Sequence, residues 1–468
     1  MNSSISRRNV LRTAGNGFGA VALQSLLQAA ATNPLAPKSP HEAPRVKRVI
    51  YLYMHGGVSH VDTLDPKPEL KKRAGQTLPG SFAEGLKTSR IDFRKAIIHP
   101  SPFEFKRWGQ SGIEASTLFP ETMKHIDDLA VIRSLHGDAF DHAPALYLSN
   151  TGFQFPGRAS LGSWVVYGLG SENQNLPAYV VMSEGALKSG PQGYSSGYLP
   201  AVYQGTVFRA GQYPILDLET PKGLNEKAQR GTLDFIEAMD RGHAAVRPGD
   251  TELEARIASY ELAYRMQSTA PDAVDISNET DETKKLYGVG ETPTDDFGRK
   301  CLLARRLVER GVRFVQLYAG THLADDWDGH FDLSGSHQRM AAKTDKPVAG
   351  LLTDLKARGL LEDTLVIWGT EFGRTPLAES KNGRDHHPYA FSMWMAGGGI
   401  KGGQVIGATD EFGMRPVLNP VDAHDVNATI LRMLGVDHTK LTYFYLSREQ
   451  RLTDVHGQSE FTKRLLGS

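Results

Sequence analysis

The most constraining feature of this chain is a set of four apolar, β-branched segments, each followed by a cluster of histidine and acidic residues. The clusters begin at His55, Ser134, Asp326 and Glu371. Segments with helical apolar spacing separate these runs along the chain. Because strands that alternate with helices form a parallel sheet covered on both faces, the pattern predicts an α/β fold with a mainly parallel central sheet. The polar clusters should then meet at the carboxyl edge of that sheet.

Periodicity and turn residues divide the chain into individual elements. The predicted strands are Val46–Tyr53, Leu129–Ile132, Pro177–Met182, Val312–Tyr318, Thr364–Trp368 and Phe391–Ala396. The predicted helices are Glu121–Asp128, Gly223–Arg241, Thr251–Ser268, Phe297–Arg310, His337–Arg358 and Val421–Leu434. The polar stretch Pro271–Asp296 is rich in Thr, Asp, Glu and Pro, and it is predicted to be an exposed loop.

Composition limits the classes of partner. The chain has 468 residues, and its 53 basic side chains balance its 53 acidic ones. No basic stripe is visible, which argues against a nucleic-acid partner. No segment of the mature chain reaches the ~18 apolar residues of a membrane span, so no integral span is expected. Cys301 is the single cysteine and is expected to be a buried thiol. The sequence does not indicate the oligomeric state.

The N-terminus has the pattern of an export signal. Arg7 and Arg8 form a twin-arginine motif, and the weakly apolar stretch Thr13–Ala31 follows it. We therefore predict a signal peptide over residues 1–31, a Pro-rich linker over residues 32–45 and a single domain over residues 46–468. The expected location is the periplasm or another extracytoplasmic compartment.

Two of the polar clusters suggest metal ligands directly after strands. His55 precedes two glycines that allow close backbone approach to a ligand, and Asp62 follows as a further candidate. Asp328 and His330 flank one glycine, so a carboxylate and an imidazole could bind the same ion. These four residues are predicted metal ligands.

The other two clusters supply further candidates. Glu371 follows a strand directly and is a predicted metal ligand. His386 is a further predicted ligand, because neighbouring side chains point apart and only one of His386 and His387 is expected to reach a metal. Arg374 or Arg384 could neutralise a tetrahedral oxyanion. The second cluster contains no unmistakable nucleophile. Its candidates for metal or substrate contact are Asp141 and His142, which stand where a helix N-terminus could face an anion.

These motifs together resemble the domain-of-unknown-function 1501 family, an uncharacterised sulfatase-like branch of the alkaline phosphatase superfamily. The matching segments are His55-Gly56-Gly57 with Asp62 and Asp65-Pro66, Asp141-His142-Ala143, Trp327-Asp328-Gly329-His330, Gly369-Thr370-Glu371-Phe372-Gly373-Arg374 and Gly383-Arg384-Asp385-His386. The resemblance implies an alkaline-phosphatase-like three-layer α/β/α sandwich and hydrolysis of sulfate or phosphate esters. The Cys/Ser-x-Pro-x-Arg motif of sulfatases is absent from this sequence, and Glu371-Phe372-Gly373 stands where the superfamily often has Asp-His-Gly.

The leading hypothesis is an exported, metal-dependent ester hydrolase that acts on a small molecule or a polysaccharide. One or two divalent ions (zinc, manganese, calcium or magnesium) would polarise the ester and activate water or a hydroxyl. One alternative is a phosphodiesterase or phosphomutase-like enzyme. Others are a non-catalytic, metal-stabilised protein that binds anionic glycans, and a surface scaffold in which the histidines are structural.

Overall fold

An eight-stranded sheet forms the centre of the protein. The computed structural model describes residues 33–87, 90–209, 214–215, 223, 225–247, 251–321 and 326–467, so the predicted signal peptide lies outside the described residues. The strands, in chain order, are β1 Arg48–Met54, β2 Phe105–Trp108, β3 Ile113–Ser116, β4 Ala130–Leu135, β5 Tyr179–Met182, β6 Thr206–Phe208, β7 Phe314–Ala319, β8 Thr364–Gly369, β9 Gly373–Arg374, β10 His386–His387, β11 Phe391–Ala396, β12 Gln404–Ile406, β13 Ala408–Thr409, β14 Pro416–Leu418, β15 Tyr443–Tyr445 and β16 Arg448–Gln450.

Strand direction brings several chain segments to one edge. The order across the sheet is β12-β4-β11-β8-β1-β7-β5-β6. Only β11 runs against its neighbours β4 and β8, so the other seven strands share one direction. β1 lies between β7 and β8, with Tyr53 opposite Tyr318 on one side and Gly369 on the other. The residues that follow these three strands therefore lie next to one another.

Helices cover both faces of the sheet. They are α1 Pro68–Lys72, α2 Gly80–Ala83, α3 His142–Thr151, α4 Leu161–Leu169, α5 Glu226–Ala245, α6 Thr251–Val274, α7 Asp281–Leu286, α8 Asp295–Glu309, α9 Leu333–Ala357, α10 Ala423–Met433 and α11 Ser459–Leu466. Alternate residues of β1 belong to different apolar clusters: Leu52 packs with residues of α8 and α9, and Tyr51 packs with residues of α4 and α10. This arrangement confirms the predicted three-layer α/β/α sandwich.

Most predicted elements are present within a few residues, but the segment Pro271–Asp296 was predicted only in part. Residues 275–280 and 287–294 are not helical and many of them are exposed, but α6 continues to Val274, α7 follows, and Tyr287 is fully buried. Thr280 caps α7 by accepting a hydrogen bond from the Thr283 amide at 3.1 Å. These short polar turns have no apolar repeat, so periodicity could not reveal them. Cys301 lies buried in α8, as expected.

The described part of the predicted linker is attached to the domain along its length. The Lys38 amide donates to the Leu169 carbonyl at the end of α4, and the Arg45 amide donates to the Met433 carbonyl at the end of α10, at 3.0 and 2.9 Å. Carbonyls in the last turn of a helix have no intrahelical partner, so the segment closes two helix ends on one face of the sheet. None of the helices in the described ranges is long and apolar enough to cross a membrane.

Candidate metal centre

The chain turns sharply where β1 ends, and this turn positions the following loop. Gly56 has φ +122°, and a Cβ there would lie 2.6 Å from the Trp327 amide nitrogen. The carbonyl of His55 accepts a hydrogen bond from that amide at 3.2 Å. Only glycine combines this backbone angle with such close contact. The turn therefore sets the position of Asp328, the next residue in the loop.

Replacing Gly56 with alanine is expected to destabilise the protein by at least ~1–3 kcal/mol, the usual cost of a strained backbone position. Gly75 is a matched control because it also has positive φ, but nothing lies within 4 Å of a Cβ built there. Urea unfolding of both variants would separate the clash from the backbone strain. An equal loss of unfolding free energy in the two variants would contradict the close approach of Gly56 to the backbone of Trp327.

Three imidazoles converge on the carboxylate of Asp328. The Nε2 atoms of His330 and His386 lie 3.1 and 3.2 Å from Oδ1, and Nε2 of His142 lies 3.1 Å from Oδ2. The Nε2 atoms of His330 and His386 are 2.9 Å from each other. All three histidines are buried. His142 begins the helix α3 after β4, Asp328 and His330 follow β7, and His386 lies in β10 beyond β8. β4, β8 and β7 run in one direction, with β11 and β1 between them, so the segments that follow them leave the same edge of the sheet.

The opposite nitrogen of each histidine is held by an acceptor. Nδ1 of His142 donates to Glu371 Oε1 at 2.7 Å, and Nδ1 of His386 donates to the Phe140 carbonyl at 2.6 Å. Nδ1 of His330 contacts Glu379. A carbonyl or an ionised carboxylate can only accept, so a neutral ring whose single proton is on Nδ1 presents an Nε2 lone pair to Asp328. The Nε2 lone pairs then face one another and Asp328, an arrangement that repels unless a cation lies among them.

Burial and neighbouring charges act in opposite directions on the two imidazoles His142 and His386. Burial would raise the pKa of Glu371, but the hydrogen bond from His142 lowers it to about 2, so the carboxylate is ionised. Burial lowers the pKa of His386 to about 3, which keeps this imidazole neutral. Burial would also lower the pKa of His142, but its bonds to Asp328 and Glu371 raise it instead. A proton on Nε2 of His142 and a metal ion there would exclude each other.

The donor set fits a divalent transition metal. Ligands on one tetrahedral ion at about 2.0–2.1 Å lie roughly 3.3 Å apart, close to the 2.9–3.2 Å between the donors here. Among the described residues, the donor atoms of His142, Asp328 and His386 lie within 4.8 Å of one another. Glu371 and Glu379 are then the carboxylates that orient the ligating histidines, as in many metal sites. His142, Asp328 and His386 would hold the ion, while His330 belongs with Glu379 and Asp385 to a second group of possible ligands beside it. Imidazole with carboxylate suits zinc or manganese.

Two cations border the cluster. Lys188 Nζ lies 2.9 Å from Asp328 Oδ2 and 3.1 Å from Asp326 Oδ2, and its side chain is 12% exposed. Arg374 is fully buried and contacts Asp328 Oδ1 at 2.5 Å. Its donors also bind the carbonyls of Gly56, Gly57 and Arg384. Arg374 therefore fixes the loop and Asp328, whereas Lys188 is the cation that a ligand could approach.

The side chains of Asp62 and Arg384 bind each other rather than joining the histidine cluster. The Asp62 carboxylate accepts from Nε and Nη2 of Arg384 at 2.7 and 3.1 Å, and the Ser59 hydroxyl also bonds to it. Both side chains are fully buried. The remaining Arg384 donors bind the carbonyls of Thr375 and His99. This placement corrects the roles proposed from sequence, because a pair saturated in this way supports the fold rather than binding a metal or an oxyanion.

The remaining candidates lie at or beside the cluster. His55 is buried, its Nε2 accepts from the Lys188 amide at 3.3 Å, and its Nδ1 has no partner among the described residues. Asp141 is exposed and directly precedes α3 without a side-chain cap bond. Glu371 contacts His142 and the Gly56 amide, so it orients a histidine from outside the cluster. Of the adjacent pair, His386 joins the cluster.

Sequence reasoning missed two charged side chains and one carbonyl. Lys188 follows the predicted strand Pro177–Met182. A search for charged residues after every predicted strand, as was done for the other clusters, could therefore have found it. Glu379 lies in the irregular loop between Arg374 and Arg384, where no pattern distinguishes it. The Phe140 carbonyl carries no sequence signal, because every residue has one.

Replacing Glu371 with glutamine is expected to weaken metal binding by about 10–100-fold, the usual cost of losing a supporting carboxylate. The change removes the negative charge that holds the proton on Nδ1 of His142. Competition with a chromogenic chelator would measure the affinity. Glu362→Gln, on an exposed turn before β8, is the control. A change below twofold for Glu371→Gln would show that this carboxylate does not support a ligand.

Solved structures that are similar to this chain include three enzymes with low sequence identity to it. The PsFucS1 sulfatase from Pseudoalteromonas sp. is 13% identical over 84% of this chain and 68% of its own, with a TM-score of 0.37. The alkaline phosphatase of the Antarctic bacterium TAB5 is 10% identical over 84% and 98%, with a TM-score of 0.36. The lipoteichoic acid synthase LtaP from Listeria monocytogenes is 9% identical over 86% and 76%, with a TM-score of 0.36.

These figures describe only a distant resemblance in overall arrangement. The activities in the names of the three proteins belong to those proteins and are not assigned to this chain. No curated protein matches the chain by sequence. The family model described as "Protein of unknown function (DUF1501)" matches residues 46–460, which is most of the chain. The chain therefore belongs to the DUF1501 family, as its motifs predicted.

Proposed function

We propose that this protein is a metal-dependent hydrolase of sulfate or phosphate esters. The observation that carries the proposal is the convergence of three Nε2 atoms on Asp328, with the Nδ1 atoms held by Glu371, Glu379 and the Phe140 carbonyl. If each ring is neutral with its proton on Nδ1, the Nε2 lone pairs face Asp328 and one another, and a cation among them is needed to offset the repulsion. A divalent cation held by His142, Asp328 and His386 would lie among their donor atoms and remove this repulsion.

When bound, a divalent cation would polarise an ester oxygen and lower the pKa of a water molecule. Lys188 would bind and neutralise the anionic ester group, because its ammonium lies at the cluster and is partly exposed. Arg374 would hold Asp328 in place, because its donors are already used within the protein. His142 would keep Nε2 free of a proton only while Glu371 accepts from Nδ1.

The nucleophile in this proposal is water. Thr370, whose hydroxyl lies beside Glu371, already donates to the Met54 carbonyl at 2.8 Å, and Ser134, the residue at the second strand end, donates to the Asn419 carbonyl at 2.6 Å. Both hydroxyls are committed to backbone acceptors, which leaves an activated water as the simplest attacking group. A polysaccharide ester is proposed as the substrate, and the surface described in the next subsection supports that choice.

The test is metal analysis of the purified protein followed by turnover assays. We expect about one tightly bound transition metal per chain and hydrolysis of an aryl sulfate or an aryl phosphate that chelation abolishes and metal restores. A panel containing sulfate and phosphate monoesters and diesters would also separate the phosphodiesterase alternative. Stoichiometric metal with no turnover on the whole panel would contradict the hydrolase and favour a metal-stabilised binding protein.

We also propose that the chain is exported by the twin-arginine pathway. The support is the Arg7-Arg8 pair followed by Thr13–Ala31. Replacing both arginines with lysine is expected to leave the protein in the cytoplasm with its signal uncleaved, as cell fractionation would show. Normal export of that variant would contradict the proposal.

A further inference from the structure

A group of aromatic rings lies on the surface beyond the metal centre. The hairpin of β15 and β16 pairs Tyr443 with Gln450 and Tyr445 with Arg448, so these four side chains share one face. Tyr198 stacks against that face, with its ring centroid 6.2 Å from that of Tyr443 and 5.1 Å from that of Tyr445. Side chains directly opposite on paired strands point to the same side, so the hairpin presents tyrosine, arginine and glutamine together.

Arg158 lies in the middle of these rings. Its guanidinium is 5.5 Å from the ring centroid of Phe155 and 5.7 Å from that of Tyr198. Arg158 and Arg448 both donate to Oε1 of Gln450, at 2.7 and 3.1 Å. We call Phe155, Arg158, Tyr198, Tyr445 and Arg448 the aromatic–arginine surface.

Part of this surface is open to solvent. Phe155 is 53% exposed and Tyr445 is 40% exposed. Large exposed aromatic rings that lie close together commonly mark a binding site. The hairpin tip also holds Leu446 and Ser447 at positive φ, which is unusual for residues other than glycine and asparagine.

One of the two arginines on the surface has no acidic partner among the described residues. None of the ion pairs between described residues includes Arg158, and the acidic partner of Arg448 is Asp454 at 3.9 Å. Guanidinium groups bind sulfate, phosphate and carboxylate groups through paired hydrogen bonds. The surface thus combines apolar ring faces, suited to the C–H faces of sugar rings, with cations suited to acidic groups.

The surface is joined to the metal centre by two chain segments. α3 begins at His142 and ends at Thr151, shortly before Phe155. Its 10 residues span about 15 Å at the rise of an α-helix. The segment 183–205 carries Lys188 near its start and Tyr198 near its end. A chain of a few sugar units could reach from one place to the other.

We propose that the aromatic–arginine surface binds the sugar chain of an anionic polysaccharide outside the metal centre. This inference rests on the proposed function, because it makes the metal centre and the surface parts of one substrate path. Sugar rings pack on Phe155 and Tyr445, and the acidic groups of neighbouring units bind Arg158 and Arg448. A second copy of this chain would also fit exposed tyrosines, but Arg158, which has no ion pair among the described residues, favours an acidic ligand.

The experiment uses the metal-loaded protein with dextran sulfate and uncharged dextran as probes. Affinity electrophoresis or calorimetry would measure binding, and an aryl ester would measure turnover at the metal centre. The variants are Phe155→Ala/Tyr445→Ala and Arg158→Gln. The controls are Phe235→Ala, an exposed aromatic on α5, and Arg107→Gln, an exposed arginine on β2.

We expect both surface variants to lose at least tenfold in affinity for dextran sulfate, with unchanged aryl-ester turnover and unchanged binding by the controls. Dextran should bind weakly to all of them. Wild-type affinity in both surface variants would overturn the proposal, as would equal losses in the controls. A shift from dimer to monomer in Phe155→Ala/Tyr445→Ala, with polysaccharide binding intact, would show an interface between copies instead. If the wild-type protein hydrolyses no ester and the surface variants still lose affinity for dextran sulfate, the proposed function is contradicted but the binding surface is supported.

Discussion

Replacing Asp328 with asparagine is expected to reduce metal affinity by more than about 100-fold, beyond what changes to supporting residues produce, and to abolish ester hydrolysis. The carboxylate contacts the Nε2 atoms of His142, His330 and His386. Asparagine keeps the size but removes the negative charge, so a cation would face three neutral donors beside Lys188. Elemental analysis and an aryl-ester assay would measure the two effects.

The control for this variant is Asp234→Asn, because Asp234 has a 63% exposed side chain on α5, far along the chain from the cluster. Circular dichroism and thermal unfolding would show that Asp328→Asn folds. A folded Asp328→Asn protein with full metal content would contradict the assignment of Asp328 as a ligand. Full metal content with lost turnover would instead make it a substrate contact.

Replacing Arg384 with methionine is expected to destabilise the protein by about 3–5 kcal/mol, the usual cost of leaving one buried charge without its partner. Asp62 and Arg384 have no exposed side-chain surface, so water cannot replace the lost interaction. The guanidinium also donates to the carbonyls of Thr375 and His99, which would lose a partner each. Denaturant unfolding would measure the free-energy change.

Two further variants sharpen this test. Asp62→Asn combined with Arg384→Met removes both charges and should recover part of the lost stability, because no ion then remains unpaired. Arg339→Met is the control, since Arg339 is 59% exposed and its pair with Asp332 is 3.9 Å long; it should change stability by less than about 0.5 kcal/mol. If Arg384→Met unfolds like wild type but loses ester hydrolysis, Arg384 binds substrate after all.

The sequence could predict the edge of the sheet at which the cluster forms, because parallel strands must end on the same side. His55, Asp328 and Glu371 were found in this way, and they lie after β1, β7 and β8. The reversed direction of β11 could not be predicted, since Phe391–Ala396 is uniformly buried and a buried strand reads the same in either direction. The polar helix α7 was missed because its stability depends on a cap and on packing around Tyr287 rather than on an apolar repeat.

The division of roles within the site could not be predicted from the sequence. Glu371 and His142 were both candidates, but only side-chain orientation shows that Glu371 holds His142 and that His142 faces Asp328. Asp62 and Arg384 lie 322 residues apart. Each stands in a motif that contains several histidine and acidic residues, so each alone resembles a functional residue. A buried ion pair and a catalytic pair use the same residue types, so geometry has to separate them.

The orientation of the three imidazoles also couples the centre to the energetics of folding. With their Nε2 lone pairs directed at one another, His142, His330 and His386 oppose the packing of their own loops, and a cation turns that opposition into attraction. An ion that binds the native chain and not the unfolded one shifts the equilibrium between them by mass action. The stability of the native chain should therefore rise with the concentration of the free ion.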